Sequence, residues 1–189
     1  MEEDIDLTSS GTDEVLKADE QTFAQLNTTI NGNADNDIYL ESDYKYSDGD
    51  DSFKNGIVID RDVNIYGNGH TINGSCEARI FKINSGKVVF YNITFVNGNA
   101  TCDGEIGGAI NGNCRAIDCT FKENYADYGG GAIEGGSAVN CIFISNHAYG
   151  EYTHGDAMRN GSALNCIFTG NSADSEFSEG GRYIWCFCR

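Results

Sequence analysis

The chain has 189 residues, enough for one domain with a sizeable core, and carries 29 acidic against 12 basic residues, a net charge of −17. That balance argues against nucleic acid as a partner, because phosphate binding needs a basic surface. With no apolar run of 18 residues, no membrane-spanning helix is expected either.

Residues 1–18 are acidic and without periodicity, and are expected to form a flexible leader to a single domain over 19–189. The start, Met1-Glu2-Glu3-Asp4, is the opposite of a basic signal n-region; an exported protein of this sequence would have had its signal removed. A capping helix is expected within 19–34, followed by coils over 35–189. Thr22 and Gln25 have the spacing of a capping box, Phe23, Leu26 and Ile30 share a face, and Asn31-Gly32 ends the run. Such a helix would cover the open edge of the first coil. Ile38-Tyr39-Leu40 reads as the first strand, Asp43 to Asn55 as a polar acidic loop, and Ile57–Ile59 and Val63–Ile65 as strands. Tyr66 to Ile72 reads as a Gly-broken corner, and Ile80–Ile83 as the next strand. Val89, Tyr91, Ile93 and Phe95 then lead into a regular array.

That array is one pattern written three times. Ile117-Asp118-Cys119-Thr120-Phe121-Lys122-Glu123-Asn124-Tyr125-Ala126 returns from Val139 to Ala148 and again from Leu164 to Ala173. Gly107-Gly108-Ala109-Ile110 and Gly130-Gly131-Ala132-Ile133 precede the first two copies, degraded to Gly155-Asp156-Ala157-Met158 before the third. A fixed period of this length signals a solenoid. Period-two alternation predicts Ile117, Cys119 and Phe121 on the buried face, with Val139, Cys141, Phe143 and Leu164, Cys166, Phe168 stacked beneath them. Asn124, Asn146 and Asn171 fall where the strand must bend, and their amides can bond to backbone and to one another. Ala100, Ala126, Ala148 and Ala173 are small enough for a crowded corner.

The period also overlaps that of leucine-rich repeats, which need a helical second half. Here that half reads Asp127-Tyr128-Gly129-Gly130-Gly131, and each Gly opposes a helix by about 1 kcal/mol. The 24 Gly and the absence of Pro also suit strands paired on both sides, since Pro would remove a ladder hydrogen bond. The expected fold is therefore all-β: a parallel β-helix of about six coils behind a short N-terminal capping helix.

Of the eight Cys, Cys119, Cys141 and Cys166 take the place that Ile93 holds one coil earlier, so they are expected to be buried, free thiols. Cys102 and Cys114 flank an insertion and can bridge it; Cys186-x-Cys188 is no zinc knuckle. Ser47-Asp48-Gly49-Asp50-Asp51 lacks the ligand order of an EF-hand, and no metal or cofactor is expected. For an enzyme, a glycosidase needs two facing carboxylates, whereas the equivalent positions on the outward sheet face read Asn92, Asp118, Asn140 and Asn165, a single carboxylate among amides. Arg115 near Asp118 and Arg159 near Asp156 suit corner salt bridges, and no Ser or Cys shows an evident His and acid partner. A non-enzyme is expected.

In this order the motifs resemble a known family. Gly-Gly-Ala-Ile alternating with Phe-x-x-Asn is similar to the repeat of chlamydial polymorphic outer-membrane proteins. The layout over about residues 15–175 resembles the adhesin-like surface proteins of methanogenic archaea: the Phe/Leu/Ile helix, Ile-x-Leu-x-x-Asp-Tyr, Ile-x-Gly-x-Gly-His-Thr-Ile, Arg-Ile-Phe-x-Ile, then the paired motifs. The resemblance implies a right-handed, pectin-lyase-like β-helix, export to the cell surface, and adhesion to a protein, a glycan or a neighbouring cell. The alternatives are a polysaccharide lyase or hydrolase on the same scaffold, and a structural spacer of the envelope. The expected partner surface is the C-terminal end: alternation turns Ile142, Ile144 and Ile167 outward, and Trp185 lies in a segment apolar on both faces. Self-association through that end is the further expectation.

Overall fold

The computed structural model describes residues 20–100, 106–149 and 157–174. The leader over 1–18 and Trp185 lie outside them. The described chain is a parallel β-solenoid of about six turns with one α-helix.

Three sheets run along the stack. The first has seven strands in the order Gln21–Thr22, Tyr44–Lys45, Thr71–Asn73, Thr94–Val96, Thr120–Lys122, Ile142–Ile144 and Ile167–Thr169. The second has nine strands; its main row runs through Asp37–Tyr39, Val63–Tyr66, Val88–Tyr91, Cys114–Ile117, Ile133–Val139 and Met158–Leu164. The third joins Asn99–Ala100, Tyr125–Ala126, His147–Tyr149 and Ser172–Asp174. All pairings are parallel and place like residue on like residue: Phe121 pairs with Phe95 and Phe143, and Phe143 with Phe168.

Inside, Phe95, Phe121, Phe143 and Phe168 form a continuous ring stack, with successive centroids 4.8, 4.9 and 4.6 Å apart. Asn124, Asn146 and Asn171 run beside it as an amide ladder. Asn124 Nδ2 donates to Asn146 Oδ1 at 2.8 Å and Asn146 Nδ2 to Asn171 Oδ1 at 2.9 Å. Each amide also donates to the carbonyl of a Phe on the preceding coil: Phe95, Phe121 and Phe143 in turn. Corner carbonyls that would be stranded in a dry turn are thereby satisfied. Gly108 shows why the paired-Gly motif cannot carry a side chain, since a Cβ there would lie 2.3 Å from the carbonyl oxygens of Gly131 and Tyr125.

Helix α1, Phe23–Asn31, closes the first coil with Phe23, Leu26 and Ile30 fully buried. The expected capping box between Thr22 and Gln25 is present. Asp50 adds to it from 27 residues away: its buried carboxylate accepts from the Phe23 and Ala24 amides at 3.1 and 3.0 Å. An anion suits the exposed N–H groups and positive end of a helix. At the other end, Arg61 donates to the carbonyls of Ile30 and Asp35. Asp43 to Asn55 is therefore more than a polar loop, since it holds the strand Tyr44–Lys45, the 3₁₀ turn Asp51–Phe53 and the helix cap. Likewise Thr71 to Asn73, whose first two residues read as corner in the sequence, is a strand.

One face assignment is overturned. Ile117, Val139 and Leu164 do not point inward; the inward rung is Ala116, Ala138 and Ala163. The alternation breaks at Asp118, Asn140 and Asn165, whose φ angles of +54°, +54° and +53° are left-handed. A left-handed residue turns the chain through a corner, so the residues before and after it obey separate alternations. Tyr91 is moved outward in the same way, stacking with Tyr66 at 4.8 Å, which in turn stacks on Tyr39 at 4.7 Å.

The thiols of Cys114, Cys119, Cys141 and Cys166 are free, so Cys114 makes no bridge to Cys102, itself outside the described residues. Cys119, Cys141 and Cys166 donate to the carbonyls of Ile117, Val139 and Leu164 at 3.3 Å each. A thiol here fills apolar space as Ile93 does and also satisfies the carbonyl before the corner.

Candidate functional site

The outer face of the last two coils carries the expected apolar residues. Ile142 and Ile167 are paired on the first sheet, 37% and 60% exposed. Ile144 is half-buried beside Thr169. Trp185 cannot be placed with them, since it lies outside the described residues. The corner that overturned the inward assignment of Val139 and Leu164 adds both to this surface, with Leu164 49% exposed. The surface therefore wraps from the second sheet, through the Asn140–Asn165 corner, onto the first. At that corner Asn165 Nδ2 donates to Asn140 Oδ1 at 3.4 Å, and Asn140 Nδ2 to Asp118 Oδ1 at 3.0 Å.

Next to the strip is an open groove of about 580 Å³, lined by Arg115, Ser137, Val139, Ser162 and Leu164 together with Ala138 and Ala163. Arg115, Ser137 and Ser162 are successive rungs of one outward row. Arg115 thus stands at one end of a hydroxyl row and does not form the expected corner pair; Asp118 accepts from Asn140 instead. Arg159 faces Glu134 at 3.9 Å, and its expected partner Asp156 lies outside the described residues. Glu134 is buried, with one oxygen accepting from Asn160 Nδ2 at 2.7 Å and the other without a hydrogen bond.

A second cluster had no signal in the sequence. On the outer face of the third sheet, Ser172 Oγ lies 2.7 Å from His147 Nδ1, and Asp174 Oδ2 lies 3.6 Å from His147 Nε2. The sequence suggested no such grouping because 25 residues separate His147 from Ser172. Only the coil period, which makes them partners, could have pointed to it. His70 is similarly held by Asp43 of the preceding coil, at 3.1 Å.

Burial pushes the Cys114 thiol up to about 12. The Cys141 thiol is also raised, first by its hydrogen bond to Cys119 and then by burial, and burial raises Cys166. These thiols are held neutral at physiological pH, unlike reactive cysteines. Among the described residues, no three His, Cys, Asp or Glu side chains are grouped to hold a metal ion, and no helix is long and apolar enough to cross a membrane. No protein-family model, curated protein or solved structure matches this chain.

Proposed function

We propose that the chain is a non-catalytic, adhesin-like module of a cell surface. In this reading it is a right-handed β-helix of the pectin-lyase type that binds a protein, a glycan or a neighbouring cell through its last two coils. The observation that supports it is the outward apolar strip of Val139, Leu164, Ile142 and Ile167 on a molecule whose net charge is −17. Single exposed apolar residues are ordinary, but paired apolar rungs on both sides of an amide corner, beside a groove, mark an interaction surface. Rungs repeat about every 4.8 Å along the stack, so an extended ligand lying along the axis would meet the same kind of contact at each coil. A second copy of the chain would bury the same strip, which makes self-association one mode of its use.

The test is binding of the full chain to a glycan array and to whole cells, beside sedimentation at tens of micromolar. Leu164→Lys with Ile167→Lys should abolish whichever contact is found while leaving the unfolding midpoint in place. Equal binding and an unchanged sedimentation profile for the double variant would overturn the assignment of this face.

A further inference from the structure

We propose that Ser172 is an acylation site, a serine hydroxyl primed by His147 to accept an acyl group from an activated aryl ester. His147 and Ser172 occupy the same outward position on neighbouring coils of the third sheet, with the paired Ala148 and Ala173 next to them facing in. Ser172 Oγ lies 2.7 Å from His147 Nδ1. Asp174 Oδ2, at 3.6 Å from Nε2, is beyond hydrogen-bond length but within reach of a charge. It favours the tautomer with its proton on Nε2, leaving the Nδ1 lone pair to accept the Ser172 O–H. A hydroxyl donating to a neutral imidazole is the arrangement from which serine gives up its proton as it attacks.

The surroundings select the donor. The rings of Tyr125 and Tyr149 lie 6.1 and 6.3 Å from that of His147, and Tyr149 is half exposed. Two tyrosines framing the imidazole offer apolar surface to an aromatic leaving group. The Ser172 N–H is committed to the Asn146 carbonyl at 3.0 Å, so it cannot stabilise an oxyanion. The donor must therefore bring its own activation, and the transfer is a single event with no turnover. In the step, Ser172 Oγ bonds to the acyl carbon and the bond from that carbon to the aryl oxygen breaks. The Oγ proton passes to His147 Nδ1 and leaves with the aryl oxide as a phenol. The products are a Ser172 ester and one phenol, with no oxidant or cofactor consumed. Nothing in the step depends on the binding face of the last two coils.

The test uses the full chain and 4-nitrophenyl acetate, following phenolate release and mapping the acetyl group by peptide mass. The expected result is one equivalent released per chain with the acetyl on Ser172, and no label on Ser172 when the chain is unfolded in urea before the ester is added. Ser172→Ala and His147→Gln should each slow release by about a hundredfold, within the range of a positioned base. Asp174→Asn should displace the pH profile of acylation. Acetyl spread over lysines with Ser172 bare would overturn the proposal in the wild-type chain alone. Release by Ser172→Ala at the wild-type rate would overturn it too, since His147 would then act by itself. An unchanged pH profile in Asp174→Asn would overturn the role given to that carboxylate.

Discussion

The side-chain amide of Asn124 donates to the side-chain oxygen of Asn146 across 2.8 Å, and neither residue has any exposed surface. Asn146 also accepts from the Asn124 backbone N–H at 3.2 Å and donates to Phe121 O at 3.0 Å. Asn146→Ala removes the central rung and strands several buried groups at once. The expected loss is about 3 kcal/mol, given roughly 1–3 kcal/mol for each buried polar group left without a partner. Urea unfolding measures it. A loss no greater than that of an exposed Lys122→Ala control would show that the ladder is incidental to stability.

Phe143 is the third of four stacked rings, held between Phe121 at 4.9 Å and Phe168 at 4.6 Å. Phe143→Ala should cost roughly 3–5 kcal/mol, the range for a buried aromatic. Because the coils stack in one dimension, the loss should fall mainly on the neighbouring coils. Hydrogen exchange of Thr120–Lys122 and Ile167–Thr169 should therefore rise before that of α1.

The thiols predict both labelling and pH dependence. In native protein Cys76 is exposed and should react with a thiol reagent, while Cys114, Cys119 and Cys141 stay unlabelled until the chain unfolds. Cys114 is raised to about 12 in the folded state, above an ordinary thiol at about 8.5. Below the ordinary value both states are protonated and stability is complete. Between the two values the unfolded chain releases a proton that the folded chain keeps, so stability falls by about 1.4 kcal/mol per pH unit for this thiol alone. Cys141 and Cys166 are shifted the same way and add to the loss. Unfolding midpoints should therefore drop steeply above pH 9, and less steeply in Cys114→Ala.

Asp50→Ala removes the acceptor for the Phe23 and Ala24 amides and for Ser47 N–H. A lost N-cap costs about 1–2 kcal/mol, and burial of the site places this one at the upper end. Asp50→Asn keeps one acceptor oxygen and should cost less. Circular dichroism with urea unfolding separates the two. Equal stability of Asp50→Ala and wild type would show that the Thr22–Gln25 box caps the helix unaided.

Much of the coil was legible because its signals are local and repeated. Phe121, Phe143 and Phe168 recur with Asn124, Asn146 and Asn171 always three residues on, and that spacing already implies stacked rings and an amide ladder. The capping box needed only Thr22 and Gln25. A single alternation run across a corner puts Leu164 on the wrong face. The residue at that corner, Asn165, resembles any other polar strand residue until its φ of +53° is known.

The period, the inward rungs of Phe, Cys and Asn, and the helix that closes the first coil can all be read from residue order. Each depends on residue types a few positions apart, read against the geometry of a strand or a helix. Where the alternation breaks, which apolar residues reach solvent, and which side chains meet across coils depend on how the coils stack. A left-handed corner costs a non-glycine residue roughly 1–2 kcal/mol. At Asp118 and Asn140 the next coil offsets that cost, since their backbone amides donate to Val139 O at 3.0 Å and Leu164 O at 2.9 Å. The contacts of Asp50 with α1 and of Ser172 with His147 likewise join residues 25 or more apart. Such distances carry no local signal. They close only when the stack sets each coil on the one before it.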